Sequence, residues 1–565
     1  MDVATLRARA ERWIADDPDP TSRDELRAVL DGLPATAEEL ADRFAGPLTF
    51  GTAGLRGPLR AGPNGMSLAV VRQAAAGLVA WLGANGATGP LVVGYDARRG
   101  SRAFAEQTAR VATGAGRPAL VLPRELPTPV LAHAVRALDA CAGVMVTASH
   151  NPPEDNGYKV YLGRELGGDA GCGAQIVPPA DAEIEAAIRS VGPLAHVPLG
   201  DDREVLGEDI VASYVDGAIG VLDDLAVEPA QRAELVIAYT ALHGVGAPVL
   251  MDAFVKAGFA RPASVAEQAE PDPAFPTVAF PNPEEPGAMD RLFAVAARTG
   301  ADIALANDPD ADRCAVAIAD PAAPGEWRAL RGDEVGVLLA DHLMRRGVHG
   351  LYATTVVSSS LLGKLCAARG QDHDLTLTGF KWIVRAGGDR AANLVYGYEE
   401  ALGYCVAPGH VRDKDGITAA LLVAELAAGL KAELRTLDDR LDELATEFGV
   451  HATDQLSVRV SDLAEITEAM ARVRSHPPAA LLDEPVTSIE DLLPQTDALI
   501  VRTASARVVI RPSGTEPKLK SYLEIVEPVE ASEPGSHGGD VTAARERAAA
   551  GLAALRTEVA AALGL

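Results

Sequence analysis

At 565 residues the chain suggests roughly three to five domains of ordinary size. Its 48% apolar and 23% charged residues suit a chain that buries several cores. A net charge of −28 argues against a nucleic acid or an anionic membrane surface as partner, and it requires that an anionic substrate meet a locally basic pocket.

Met1-Asp2-Val3 opens without a basic, apolar leader, and the most apolar helical stretch, Thr418 to Leu430, is interrupted by Glu425. Cys141, Cys172, Cys314, Cys366 and Cys405 are scattered, with no CxxC pair. The expectation is a cytoplasmic protein with reduced thiols.

Residues 1–44 read as a helical appendage, with helix starts near Thr21-Ser22 and Thr36-Ala37-Glu38-Glu39. Phe50-Gly51-Thr52-Ala53-Gly54-Leu55-Arg56-Gly57 follows, where spaced glycines allow close backbone approach to a ligand and Arg56 supplies a positive fork. A helix over 67–81 and strands at 91–96, 119–122 and 142–147 alternate as in an α/β unit with a mainly parallel sheet. The last strand ends in Thr147-Ala148-Ser149-His150-Asn151-Pro152-Pro153, a polar turn that presents one hydroxyl, Ser149, with His150 beside it and Lys159 ten residues on. Loops and a helix near 180–190 complete a first unit placed at 45–205.

The second unit, 206–325, opens with a strand at 235–239 and contains a proline-rich extended loop over 271–286. Its strand 302–306 runs into Asn307-Asp308-Pro309-Asp310-Ala311-Asp312-Arg313. Asp308, Asp310 and Asp312 alternate in a tight loop and can converge on one hard cation. An EF-hand does not fit, since Arg313 takes the glycine position and Ala319 that of the bidentate Glu. Magnesium suits the loop better, and Arg313 suits a phosphate.

The third unit, 326–450, carries the strand 352–357, the loop Thr378-Gly379-Phe380-Lys381-Trp382 with its cation Lys381, and the adjacent acids Glu399 and Glu400 at a strand end, placed to accept from sugar hydroxyls. Asp413-Lys414-Asp415-Gly416 caps a long Ala/Leu helix. The fourth unit, 451–565, has a strand at 455–460, a helix face of Leu463, Ile466, Met470 and Val473, a mobile stretch over 530–541 and a closing helix over 542–563. Its strand 508–510 feeds Arg511-Pro512-Ser513-Gly514-Thr515-Glu516-Pro517-Lys518-Leu519-Lys520. Ser513, Gly514 and Thr515 offer backbone N–H groups and hydroxyls, flanked by Arg511, Lys518 and Lys520, as an anion nest requires.

The order of these loops, with Thr147-Ala148-Ser149-His150-Asn151-Pro152 and Asp308-Pro309-Asp310-Ala311-Asp312-Arg313, resembles the α-D-phosphohexomutases (the phosphoglucomutase/phosphomannomutase superfamily) over about residues 45–545. The resemblance implies four domains around a central cleft, three α/β with mixed, mainly parallel sheets and a smaller α+β C-terminal domain. It implies a phosphorylated Ser149 and one Mg2+ held by Asp308, Asp310, Asp312 and a phosphoserine oxygen. It further implies phosphoryl transfer through a sugar bisphosphate that also serves as activator. Arg56 and Lys159 would lie near the transferred group, with Lys159 the candidate general base and His150 nearby. Arg313, Lys381, Glu399 and the nest from Arg511 to Lys520 would bind the phosphosugar. One departure stands out: Ala401 replaces the serine of the Glu-x-Ser sugar loop, and the Gly-Tyr-Glu-Glu-Ala-Leu-Gly-Tyr form is similar to the phosphopentomutase-like branch. Hexose or pentose therefore stays open, as does release of the bisphosphate by a synthase. A serine hydrolase is disfavoured because no Gly-x-Ser-x-Gly elbow surrounds Ser149.

Overall fold

The computed structural model describes residues 2–564 apart from 52–53, 224, 461–462, 514–517 and 531–539. Four sheets follow one another along the chain. The first runs in the order 55–58, 155–162, 142–146, 91–95, 119–121, 204–205. Leu91–Tyr95 pairs parallel with strands on both sides, while Asp155–Leu162 is antiparallel to its neighbours. The central strands 91–95 and 142–146 are buried throughout, as expected where helices cover both faces. The second sheet sets Ile303–Asn307 parallel to Ile237–Thr240 and antiparallel to Cys314–Ala319. The third sets Leu351–Thr355 parallel to both neighbours, with Gly403–Cys405 antiparallel at the edge.

The fourth sheet is different. Val450–Arg459, Lys518–Glu527, Ala506–Pro512, Leu499–Arg502 and Ser488–Asp491 form an antiparallel meander, packed against the helices Leu463–Ser475 and Val541–Leu563. Mixed sheets in three units and a smaller α+β unit agree with the expected architecture. The N-terminal appendage is helical at Val3–Asp16, Pro20–Asp31 and Ala37–Arg43. The cap of its second helix is Asp19, two residues before Thr21, because Pro20 suits the first helical position and Asp19 accepts from Thr21 N at 3.0 Å. Thr36 precedes the third helix but donates to Val29 O at 2.5 Å rather than capping. The 530–541 stretch lies largely outside the described residues.

Gly416–Ala432 is buried along nearly its whole length and packs against elements of the second and third units. That burial explains an apolar run on a helix that carries a glutamate. Glu425 is fully buried and accepts from Asp223 N at 2.6 Å, His342 at 2.9 Å, Arg346 at 2.8 Å and Arg232 at 3.3 Å. Among the described residues no helix is long and apolar enough to cross a membrane.

Where the first three units meet, the His133 and His410 rings lie 4.6 Å apart, and the Tyr214 ring is 5.2 Å from His410. Burial pushes both imidazoles down from 6.5 to about 4. The unfolded chain therefore binds more protons than the fold between those values, so stability falls as pH drops through that window. The melting temperature is expected to fall from pH 6.5 to 4, and to fall less in a His133→Gln/His410→Gln variant, as read by scanning calorimetry. Glu425→Leu removes the acceptor that four donors share in the seam and should cost about 3–5 kcal/mol, seen as a lowered melting temperature at pH 7.

Candidate active site

In each of the first three sheets a loop between a strand and its antiparallel neighbour carries the singled-out chemistry, at 147–154, 308–313 and 400–402; the corresponding run of the last sheet lies mostly outside the described residues. The first three each hold a non-glycine residue in the left-handed region: Ser149 (φ 52°), Ala311 (φ 53°) and Leu402 (φ 62°). Such residues are uncommon and persist where the surroundings enforce them, which is frequent at functional sites.

The enforcement at Ser149 is visible. The buried Arg98 guanidinium donates to the carbonyls of Ser149 (2.6 Å), Asn151 (2.5 Å), Pro152 (2.7 Å) and Asp155 (3.1 Å). Its own position follows from Asp96, whose carboxylate lies 3.6 Å away and also accepts from Ser101 at 2.6 Å. Thr147 Oγ1 accepts from Ser149 N at 2.9 Å. Ser149 Oγ is thereby aimed across the domain boundary, donating to Asp308 Oδ2 at 2.7 Å with His150 Nδ1 at 3.2 Å. Arg56 reaches the same turn by donating to Asn151 Oδ1 at 3.0 Å. A Cβ at Gly54 would run into the Tyr158 carbonyl, so that glycine permits the close packing of the Arg56 strand.

Asp308, Asp310 and Asp312 are buried and each offers a carboxylate oxygen within 4.8 Å of the others. Three like charges in a low-dielectric site need cations. Lys159 Nζ lies 2.7 Å from Asp310 and 2.9 Å from Asp312, and Lys414 Nζ lies 3.5 Å from Asp312. Burial and the other two carboxylates push Asp308 well above the ordinary range. Burial also opposes ionisation of Asp312, but Lys159, Lys414 and Arg313 outweigh it and hold it below that range. Burial works against the Lys159 charge too, yet Asp310 and Asp312 overcome this and raise it. Oδ1 of Asp310 and Oδ1 of Asp312 are buried without a hydrogen-bond partner. Those orphaned oxygens, in an all-oxygen set, fit a hard divalent cation.

His150 is pushed well below 6.5 by burial and by Arg313 and Arg56, which leaves a neutral imidazole beside Ser149 at neutral pH. Glu399 is nearly buried, and burial raises it while Lys414 and Arg313 oppose the rise. Arg313 donates its backbone N–H to Asp308 at 3.0 Å, and a bridge between Arg313 and Gly403 ties the acidic loop to the end of the 400–402 loop. Arg511, at the end of its strand, lies beside the Tyr522 hydroxyl, which is also in the field of Glu400 and Glu399. Ser513 N donates to Lys518 O at 2.8 Å, and Lys520 faces Glu284. Gly514 and Thr515 lie outside the described residues. Burial lowers Lys381 to about 8, and the charged groups that bear on it are Asp181 and Arg385.

Sequence reasoning missed several participants. Lys414 enters as part of a helix cap, yet its ammonium joins the acidic loop and lies 5.6 Å from the centre of the Phe380 ring. Thr128 begins the helix 128–137 and anchors Asp310 twice, through Thr128 N to the carbonyl at 2.9 Å and Oγ1 to Oδ2 at 2.6 Å. Glu284, from the proline-rich segment, sits 3.4 Å from Arg313. A cation in an acidic Asp-Lys-Asp run was a usable signal for Lys414. Nothing local marks the other two, because their partners are distant in sequence.

The chain matches the four domains of the phosphoglucomutase/phosphomannomutase family: alpha/beta/alpha domain I over residues 47–193, domain II over 212–321, domain III over 331–448 and the C-terminal domain over 456–533. A Haemophilus influenzae protein named "Probable phosphomannomutase" is 45% identical over 468 residues, 81% of this chain and 93% of its own. A Mus musculus phosphopentomutase is 31% identical over 586 aligned residues, 94% of this chain and 92% of its own. A solved structure from Thermus thermophilus, named as a candidate phosphomannomutase, superposes with a TM-score of 0.68 at 26% identity, covering 90% of this chain and 99% of its own.

If the carboxylate cluster is a cation site, Asp310→Ala and Asp312→Ala should each weaken Mg2+ binding by more than the about 10–100-fold that loss of a group behind a ligand costs, as read by calorimetry. Unchanged affinity in both would rule it out.

Proposed function

The chain belongs to the phosphoglucomutase/phosphomannomutase family, and we propose that it is a phosphosugar mutase that moves a phosphoryl group between the 1-position and the terminal position of a sugar through Ser149. The observation that carries this reading is the 2.7 Å hydrogen bond from Ser149 Oγ to Asp308, between residues 159 apart in sequence and in different units. A nucleophilic hydroxyl set against a cation site, with neutral His150 and cationic Arg56 and Lys159 around it, is the arrangement that phosphoryl transfer needs.

In the forward direction a phosphoryl group on Ser149 Oγ passes to the free hydroxyl of a sugar monophosphate, which gives up its proton to a nearby base. The product, a bisphosphate, turns over in the cleft and returns its other phosphate to Ser149, and a proton goes back to the oxygen left behind. No water is consumed, so the reaction is an isomerisation. Mg2+, held by Asp308, Asp310, Asp312 and an oxygen of the phosphorylated Ser149, would neutralise charge during the transfer. Of the candidate bases, His150 is already neutral, whereas Lys159 must be released from Asp310 and Asp312 before it can accept a proton. Glu399 and the nest of Arg511, Ser513, Gly514, Thr515, Lys518 and Lys520 would read sugar and distal phosphate in either orientation, with Arg313 and Lys381 adding positive charge. A sugar bisphosphate would serve as activator by restoring the Ser149 phosphate.

The units 45–205, 206–325, 326–450 and 451–565 divide this work as hydroxyl, metal loop, sugar loop and phosphate nest, with 1–44 as packing. The substrate we favour is glucose or mannose phosphate. Ribose or deoxyribose phosphate is the second reading, supported by Ala401 and by the similarity to the mouse phosphopentomutase. All five cysteines are free and buried, which suits the reducing cytoplasm.

Ser149→Ala is expected to abolish turnover of labelled glucose 1-phosphate while substrate binding persists; residual mutase activity near wild type would refute the phosphoserine route. Comparing kcat/KM for glucose, mannose, ribose and deoxyribose 1-phosphates decides the sugar. A tenfold preference corresponds to about 1.4 kcal/mol in the transition state. Ala401→Ser should raise the hexose share if that position selects.

A further inference from the structure

The sugar loop and the phosphate nest lie on different units, and a substrate held at both ends demands a fixed span between them. The covalent connection is slight: the chain enters the last sheet through Gly449, at φ 88°, just before the strand Val450–Arg459. The span must then be set by contacts across the seam; Arg545 pairs there with Asp438 and Asp442, and a second group of contacts gathers on Ser358, Ser359 and Ser360, shortly after the strand Leu351–Thr355.

Ser358 faces both ways. Its hydroxyl donates to Glu400 at 3.0 Å, and Thr355 donates to the same carboxylate oxygen at 3.3 Å, which ties the segment to the loop that presents Glu399. Its carbonyl accepts from Arg507 of the last unit, which also donates to Val356 O at 3.3 Å. Ser359 Oγ donates to Glu524 Oε1 at 2.7 Å, and Ser360 donates to that oxygen from its N–H at 2.7 Å and its hydroxyl at 3.1 Å. His451 Nδ1 is 3.0 Å from the same oxygen, and Arg507 Nε is 2.9 Å from the other. Beside this network Val357 packs with Ile500, Val509 and Tyr522, and Tyr522 is the neighbour of Arg511.

Glu524 is only 2% exposed. Burying a carboxylate in a seam gains little stability over apolar packing, but one whose Oε1 gathers hydrogen bonds from Ser359, Ser360 and His451 while Oε2 is ion-paired with Arg507 favours one relative orientation. We propose that Ser358–Ser360 couples the sugar loop to the C-terminal unit and fixes the span between Glu399 and Arg511, with Glu400, Arg507 and Glu524 as positioning residues. The kinetic consequence rests on the mutase reading; the geometric one does not.

The test compares the full-length wild type with Glu400→Gln, Ser359→Ala, Arg507→Lys and Glu524→Gln. Steady-state kinetics on glucose 1-phosphate and mannose 1-phosphate are run alongside melting temperature and small-angle X-ray scattering without substrate. The expected result is a KM raised about tenfold with kcat changed less than about threefold, a greater need for added sugar bisphosphate, and a larger radius of gyration. Ser359→Ala, which removes one hydroxyl, keeps the test open if a charge variant does not fold. Variants that lower the melting temperature but keep wild-type KM and scattering would overturn the proposal. If the wild type turns over no phosphosugar, the mutase reading fails and scattering decides alone: an expanded variant supports the coupling and an unchanged one overturns it.

Discussion

Three carboxylates within 4.8 Å of one another, all buried, are the constraint to which the rest of the site answers. Desolvation and mutual repulsion would force them to take up protons or to recruit positive charge. The cations come from separate parts of the chain: Lys159 from the first sheet, Arg313 from the loop itself and Lys414 from the third unit. The acidic loop therefore cannot be built by its own domain. Its stability as an ionised cluster depends on three domains meeting correctly, and so does the placement of Ser149 against Asp308.

That meeting has its own supports. The helix Gly416–Ala432 begins at Asp415, which accepts from Ile417 N at 3.0 Å and from the Tyr214 hydroxyl at 2.8 Å. The same short run thus supplies Lys414 to the acidic loop and the cap of the helix that fills the seam. Further along that helix Glu425 gathers donors from both sides. Thr128 performs a similar service from the first unit, so the helix that carries His133 also holds Asp310.

The repeated loop geometry explains how the first three units bring their loops together. A parallel strand that turns directly into an antiparallel neighbour exposes its connecting loop at the strand's carboxyl end, where α/β sheets place ligands. Three such turns in this chain use a left-handed non-glycine residue, Ser149, Ala311 and Leu402. Short loops on rigid strands hold their side chains better than long ones, which keeps Ser149 and the aspartates in place.

Much of the site was legible in the sequence because its chemistry is local. Ser149, His150 and the alternate aspartates each announce themselves within a few residues, and alternating apolar strands and Ala-rich helices announce the α/β units. What the chain could not reveal is set by pairs far apart in sequence. Arg98 and Arg99 look alike as loop arginines, and only folding makes Arg98 the clamp on four carbonyls of the serine turn. Lys414 reads as a helix cap until Asp312 is brought beside it. Composition and short motifs determine which groups are available and which strands will be buried, because those depend on neighbours in the chain. The protonation of those groups, and the partner each one faces, were decided by the tertiary structure, because desolvation and Coulomb interactions act through space and disregard sequence distance.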